Sequence, residues 1–103
     1  MAVPQYTTPT FTLTFTEEAL DLTQVQHVYV TFKSHGVTVT KTGEDLTVEE
    51  KSIQVFLSQE ETAQFIPGAL AIQANWLDRE GNRWASDIIN YDISEQLLKK
   101  VIP

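Results

Sequence analysis

Thr10 to Thr16 reads T-F-T-L-T-F-T, and no other segment constrains the chain as strongly. Phe11, Leu13 and Phe15 fall on one side, and Thr10, Thr12, Thr14 and Thr16 on the other. Side chains alternate across a β-strand, so strict alternation in β-formers predicts a strand with one face on a core. Pro9 fits a strand start, where no ladder donor is needed. The four Thr make a face suited to solvent, to flat packing on a neighbouring subunit, or to an edge that accepts a partner strand. Thr10, Thr12, Thr14 and Thr16 are therefore candidate interface residues.

The same period recurs downstream. Gln24 to Ser34 places Val28, Val30 and Phe32 on one face and His27, Tyr29, Thr31 and Lys33 on the other. His35-Gly36 makes a turn and Val37 to Lys41 returns, which predicts a hairpin. Leu46-Thr47-Val48 reads as a short edge segment, and Ser52 to Ser58 alternates with Ile53, Val55 and Leu57 in phase. Ser58-Gln59-Glu60-Glu61 has the capping-box pattern, predicting one short helix from Gln59 to about Phe65. Pro67-Gly68 stops it. Ala69 to Leu77 and Asn82 to Ile93 are predicted as two longer strands around Asp78-Arg79-Glu80-Gly81. A type I turn with Gly81 at the positive-φ position sets Asp78 opposite Asn82 and Trp76 opposite Trp84. Both indoles then share a face with Leu70, Ile72 and Ile88. A two-residue loop at Glu80-Gly81 would put them on opposite faces. Ser94 to Lys100 suits either a short helix or a terminal strand.

A length of 103 residues allows one domain. It is read as 1–103, with 1–9 as an N-terminal arm and 94–103 as a C-terminal tail. With 42% hydrophobic and 20% charged residues, the composition is that of a globular chain. The predicted fold class is all-β, an antiparallel immunoglobulin-like β-sandwich with one short inserted helix. Cys is absent, which excludes disulfides, thiolate metal sites and Cys nucleophiles. A net charge of −7 argues against nucleic acid and against docking on an anionic membrane. The N-terminus lacks the basic start and apolar run of a signal peptide. The longest apolar stretch, Gly68 to Ile72, is far short of the roughly 20 residues that span a bilayer.

Chemistry-bearing residues are few. His27 sits on a polar strand face and His35 beside a turn glycine, with no spacing that pairs either with a nucleophile. The pairs Glu17-Glu18, Glu49-Glu50 and Glu60-Glu61 read as solvated charge, and the last also as helix-start acids. Asp78, Glu80 and Asn82 resemble the opening of a calcium loop, but the twelfth position is Ile89 rather than Glu. No phosphate-cradling glycine motif occurs. No catalytic, cofactor or metal residue is assigned, and the chain is read as non-enzymatic. Among the aromatics, Trp76 reads as a core plug, and core is also preferred for Trp84 over a sugar-stacking platform with Tyr91 and Tyr29. Tyr29 and Phe56 are out of phase with their apolar faces, so both are expected exposed and, with Trp84, are candidates for protein contact.

Several segments carry a family resemblance. They are Asp21-Leu22-Thr23, Val28 to Lys33, and Val55-Phe56-Leu57-Ser58-Gln59-Glu60-Glu61-Thr62 with Phe65 and Gly68. After these come Ile72 to Trp76, Asp78-Arg79-Glu80-Gly81-Asn82 and Ser86-Asp87-Ile88. Together they resemble short β-sandwich proteins of prophage tail and baseplate gene clusters in Gram-positive gut bacteria. They are also similar to the N-terminal domain of phage baseplate upper proteins. The resemblance spans about Thr10 to Ile102. It implies a virion structural protein of the bacteriophage tail or baseplate, with no cofactor. Such a protein acts through protein–protein contacts with other phage structural proteins and with itself. Its expected location is the host cytoplasm during assembly and then the virion. A carbohydrate-binding module using the exposed aromatics is the alternative, and a small hydrolase working through Glu60 and Glu61 is a third reading.

Overall fold

The computed structural model describes residues 2–103. The described residues form strands β1 (Ala2–Pro4), β2 (Thr10–Thr14), β3 (His27–Ser34), β4 (Val37–Thr42), β5 (Leu46–Val48), β6 (Ser52–Phe56), β7 (Gly68–Leu77), β8 (Arg83–Ala85) and β9 (Ile89–Ser94), with one α-helix, α1 (Gln59–Ala63), between β6 and β7. Strands take 48% of the chain and helical turns 11%, which makes the fold all-β. The larger sheet runs β1-β9-β7-β3-β4, with β8 also pairing β7, and the smaller runs β2-β6-β5. Every pairing is antiparallel except β1 with β9.

The alternation builds the core. Phe11 and Leu13 of β2 and Ile53 and Val55 of β6 join Val28, Val30 and Phe32 of β3 and Leu70, Ile72, Ala74 and Trp76 of β7 in one buried cluster. Aromatic pairs bridge the sheets. Phe11 lies with its ring centroid 5.4 Å from Phe32 and 5.3 Å from Tyr91, and Phe15 meets Trp76 edge-on at 5.4 Å. Each fully buried apolar side chain contributes about 1.5–3 kcal/mol by leaving water, so this cluster dominates stability.

At one end of the molecule, α1 starts on the Ser58 capping box. Ser58 Oγ accepts from the Glu61 amide at 3.2 Å, and Glu61 Oε1 accepts from the Ser58 amide at 2.9 Å. The helix ends at Ala63, sooner than the pattern suggests. Thr62 is buried and donates its hydroxyl to the Thr7 carbonyl, tying the helix to the chain before β2. Gly68 then opens β7 at φ +129°, where an added Cβ would lie 2.8 Å from His35 Nε2.

Ala2–Pro4 forms β1, Val3 is buried, and Gln5 Nε2 donates to the Phe65 carbonyl. Three expectations are corrected. Leu22–Gln24 is a 3-10 turn, so the third strand starts at His27 rather than Gln24. Asn82 to Ile93 is not one strand but β8 and β9 with a break at Ser86 to Ile88. Trp84 does face Trp76, but Ile89 rather than Ile88 pairs with Ile72. The cause is a β-bulge. Ser86 still donates its amide to the Ala74 carbonyl, and its Oγ accepts from the Ala74 amide at 2.9 Å. Asp87 and Ile88 together then oppose Gln73, and the register slips by one residue. A one-residue slip reverses the faces, which turns Ile88 out and Ile89 towards the inner side.

Candidate functional site

At the end of the molecule away from α1 lies an open groove of about 770 Å³. One wall is the chain from Thr14 to Val25; the other is the end of β7 with β8 and the bulge. Phe15, Leu20, Val25, Trp76, Trp84 and Ile89 supply apolar surface, and Glu17, Asp21, Asp78 and Asp87 supply carboxylates.

The first wall is held from below by one side chain. Lys51 Nζ donates to the carbonyls of Glu17 at 2.7 Å, Glu18 at 3.1 Å and Leu20 at 3.0 Å. Backbone bonds from Phe15 to Lys51 and from Leu22 to Glu50 flank this clamp. Asp21 caps the following 3-10 turn by accepting from the amide and hydroxyl of Thr23. Ordinary capping chemistry thus shapes a loop with no strand pattern of its own.

The second wall is set by the β7–β8 turn. Gly81 sits at φ +88°, as the three-residue loop requires. Asp78 Oδ1 accepts from the amides of Glu80 and Asn82, and Oδ2 accepts from the indole of Trp84, each at 2.9 Å. The Trp84 hydrogen bond, then the Asn82 amide, holds the Asp78 carboxyl below its ordinary value. These N–H donors occupy the oxygens that a calcium loop would turn on a cation.

Trp84 is 54% exposed, against 9% for Trp76. The core reading of Trp84 is therefore corrected: β8 is an edge strand, and Phe15 covers Trp76 but does not reach across to its neighbour. Ile89, 37% exposed, adds apolar surface beside it in the groove, whereas Ile88, 57% exposed, lies outside the groove lining. Of the other candidate interface residues, Thr16 is exposed in the groove wall. Thr14 also lines the groove, at the end of the outward row Thr10, Thr12 and Thr14 on edge strand β2. Phe56, half-exposed, pairs with Thr10 on that outer face. Tyr29 is exposed on the outer face of the other sheet, beside Thr31, Thr40, Asn75 and Arg83 in a smaller depression of about 340 Å³. The seven residues thus lie on three surfaces, and only Thr14, Thr16 and Trp84 converge. Tyr91 is half-buried against Phe11, away from Trp84.

The remaining titratable groups have structural partners. Burial pushes the Glu61 carboxyl up, but the Lys41 ammonium and the Ser58 amide and hydroxyl outweigh it, and its pKa falls below the ordinary value. Lys41 Nζ lies 2.6 Å from Glu61 Oε2. His27 lies beside Tyr29 with ring centroids 6.3 Å apart. Among the described residues no group of three or more His, Asp or Glu converges as a metal site would require, and no helix is long and apolar enough to cross a membrane.

Periodicity missed Phe15, Leu20, Val25 and Ile89 as a shared surface, because the first three lie between β2 and β3 and the last in β9, and they meet only in the fold. The one local signal was Ser86-Asp87, a polar pair interrupting an apolar strand. Neither a protein-family model nor a curated protein matches the chain.

Proposed function

We propose that the chain is a non-enzymatic docking module, an immunoglobulin-like β-sandwich serving as a bacteriophage tail or baseplate subunit. Its partner is another structural subunit of the same particle, met in the host cytoplasm during assembly. The observation that carries this reading is the exposed apolar surface of Trp84, on edge strand β8, together with Ile89, opening into a groove lined also by Phe15, Leu20 and Val25. Contiguous exposed apolar surface rimmed by polar groups marks interaction sites on small proteins. Aromatic anchors with a carboxylate rim are the composition of an interface centre and its border. The strand order supports the fold reading. β2, β6 and β5 form one sheet and β9, β7, β3 and β4 the other, an order like that of variable-type immunoglobulin domains.

The test is association with particles. Particles released after induction of the host are purified by density gradient and probed for the chain. Co-sedimentation with tail structures is expected, and Trp84→Asp is expected to reduce it; a chain absent from every particle fraction overturns the reading. A carbohydrate-binding role draws on one observation, the exposed Trp84 indole beside the Asp78 and Asp87 carboxylates. Titration with cell-wall and gut polysaccharides while following tryptophan emission decides it, since an unchanged spectrum removes sugar binding.

A further inference from the structure

The groove and the segment 95–103 are complementary in chemistry and sit at opposite ends of the molecule. β7 links the two ends, pairing Gly68 with Ile93 near α1 and Leu77 with Arg83 beside the groove. Ten residues of extended strand separate them by roughly 30 Å. Four carboxylates and no Lys or Arg line the groove; Arg79 lies at its margin, bonded to the Gln24 carbonyl.

Segment 95–103 reads E-Q-L-L-K-K-V-I-P. Leu97 is 98% exposed and Leu98 and Ile102 are more than half exposed. The segment is nonetheless tied down at both ends. Ser94 closes β9, and Gln59 exchanges two 2.9 Å hydrogen bonds with the backbone of Ile102. Between these ties, Leu97, Leu98, Lys99 and Lys100 are all exposed. Lys99 pairs with Glu95 at 3.1 Å where both are exposed, and Lys100 has no ion pair among the described residues.

We infer that residues 97–100 of one copy seat in the groove of a second copy. Leu97 and Leu98 cover Trp84 and Ile89, and the two ammonium groups face Glu17 and Asp87. This rests on the docking reading and names its partner as a second copy of the chain. Donor and acceptor surfaces are different and distant, so the contact is head-to-tail. It repeats into a ring or an open chain rather than closing as a two-fold dimer. A contact of this size is weak singly and gains strength by repetition.

Sedimentation equilibrium of the full chain tests it. The average mass is expected to rise above 11.6 kDa with concentration. Glu17→Lys with Asp87→Lys puts cations against cations, and Lys99→Glu with Lys100→Glu puts acids against acids. Each double variant is expected to lose about tenfold or more in association, with circular dichroism unchanged. An equal mixture of the two is expected to associate again, because each groove then meets a segment of opposite charge. A wild-type chain that keeps the monomer mass up to about 1 mM, the range of very weak complexes, overturns the inference. So do double variants that associate like the wild type, or a mixture that remains monomeric. A chain found in particles despite these outcomes leaves the docking reading intact and sinks only the self-association; a chain absent from particles sinks the parent reading.

Discussion

A single ammonium holds one wall of the groove. Lys51 Nζ satisfies three carbonyls of the 17–20 loop, which has no sheet ladder to occupy them. Lys51→Met leaves those carbonyls to water and is expected to destabilise by about 1–2 kcal/mol, the scale of hydrogen bonds to a charged group. In a domain this size that lowers the thermal midpoint by roughly 4–15 °C, read by calorimetry. Asp78 is a second such residue. Its folded pKa is depressed, so its contribution is complete above the ordinary carboxylate range and is lost as pH falls through the lower folded value. Protonation there weakens acceptance from the Trp84 indole, and tryptophan emission is expected to shift with acid. Asp78→Asn should abolish that transition, and a transition that survives it assigns the titration elsewhere. Glu61 follows the same sign. Glu61→Gln keeps the capping-box acceptor but loses the Lys41 pair, so it is expected to be less stable than wild type at neutral pH. That gap should close as pH falls below the ordinary value of 4.5 and on through the lower folded value. Thermal midpoints across the acid range check it.

At the scale of elements, the bulge is what re-aims the edge. Ser86 Oγ takes the amide of buried Ala74 and frees the Ser86 carbonyl for Gln73 Nε2. Ser86→Ala leaves the Ala74 N–H without its acceptor and is expected to cost about 1–3 kcal/mol, measured by denaturant unfolding. The β7–β8 hairpin was legible in advance because Gly81 and the Asp78–Asn82 spacing select one loop type, and that loop fixes Trp76 opposite Trp84. The capping box of α1 was legible for a similar reason, since Ser58 and Glu61 satisfy each other locally. The division between β8 and β9 was not. Trp84, Ser86 and Ile88 stay in phase along the sequence, and only pairing with β7 shows that Asp87 and Ile88 share one partner. β1 was equally hidden, because three residues ending in Pro4 carry no period.

For the molecule as a whole, the groove lies between the Thr14–Val25 chain and the end of the larger sheet at β7 and β8. Phe15 packs edge-on against Trp76, while Trp84 stays 54% exposed. Acrylamide should therefore quench one tryptophan readily and the other weakly, and Trp84→Phe should leave only the protected component. Equal quenching of both indoles would mean that the groove end is closed. The charge distribution follows the same division, with carboxylates lining the groove and Lys99 and Lys100 on the exposed segment at the other end.

The sequence alone determined that the chain is all-β, which side chains of β2, β3, β6 and β7 are buried, where the helix begins and which turn sets the two tryptophans face to face. Each of these is local, written in alternation, capping or turn chemistry between near neighbours in the chain. Tertiary structure decided that Trp84 is exposed, that Ile89 replaces Ile88 on the inner side, and that Phe15, Leu20 and Val25 meet Trp76 across an open groove. Those outcomes depend on which distant segments the fold brings together and on a one-residue slip between paired strands. Only the polar pair Ser86-Asp87 marks the slip along the chain, and nothing in the order of residues along a single strand records the long-range meeting.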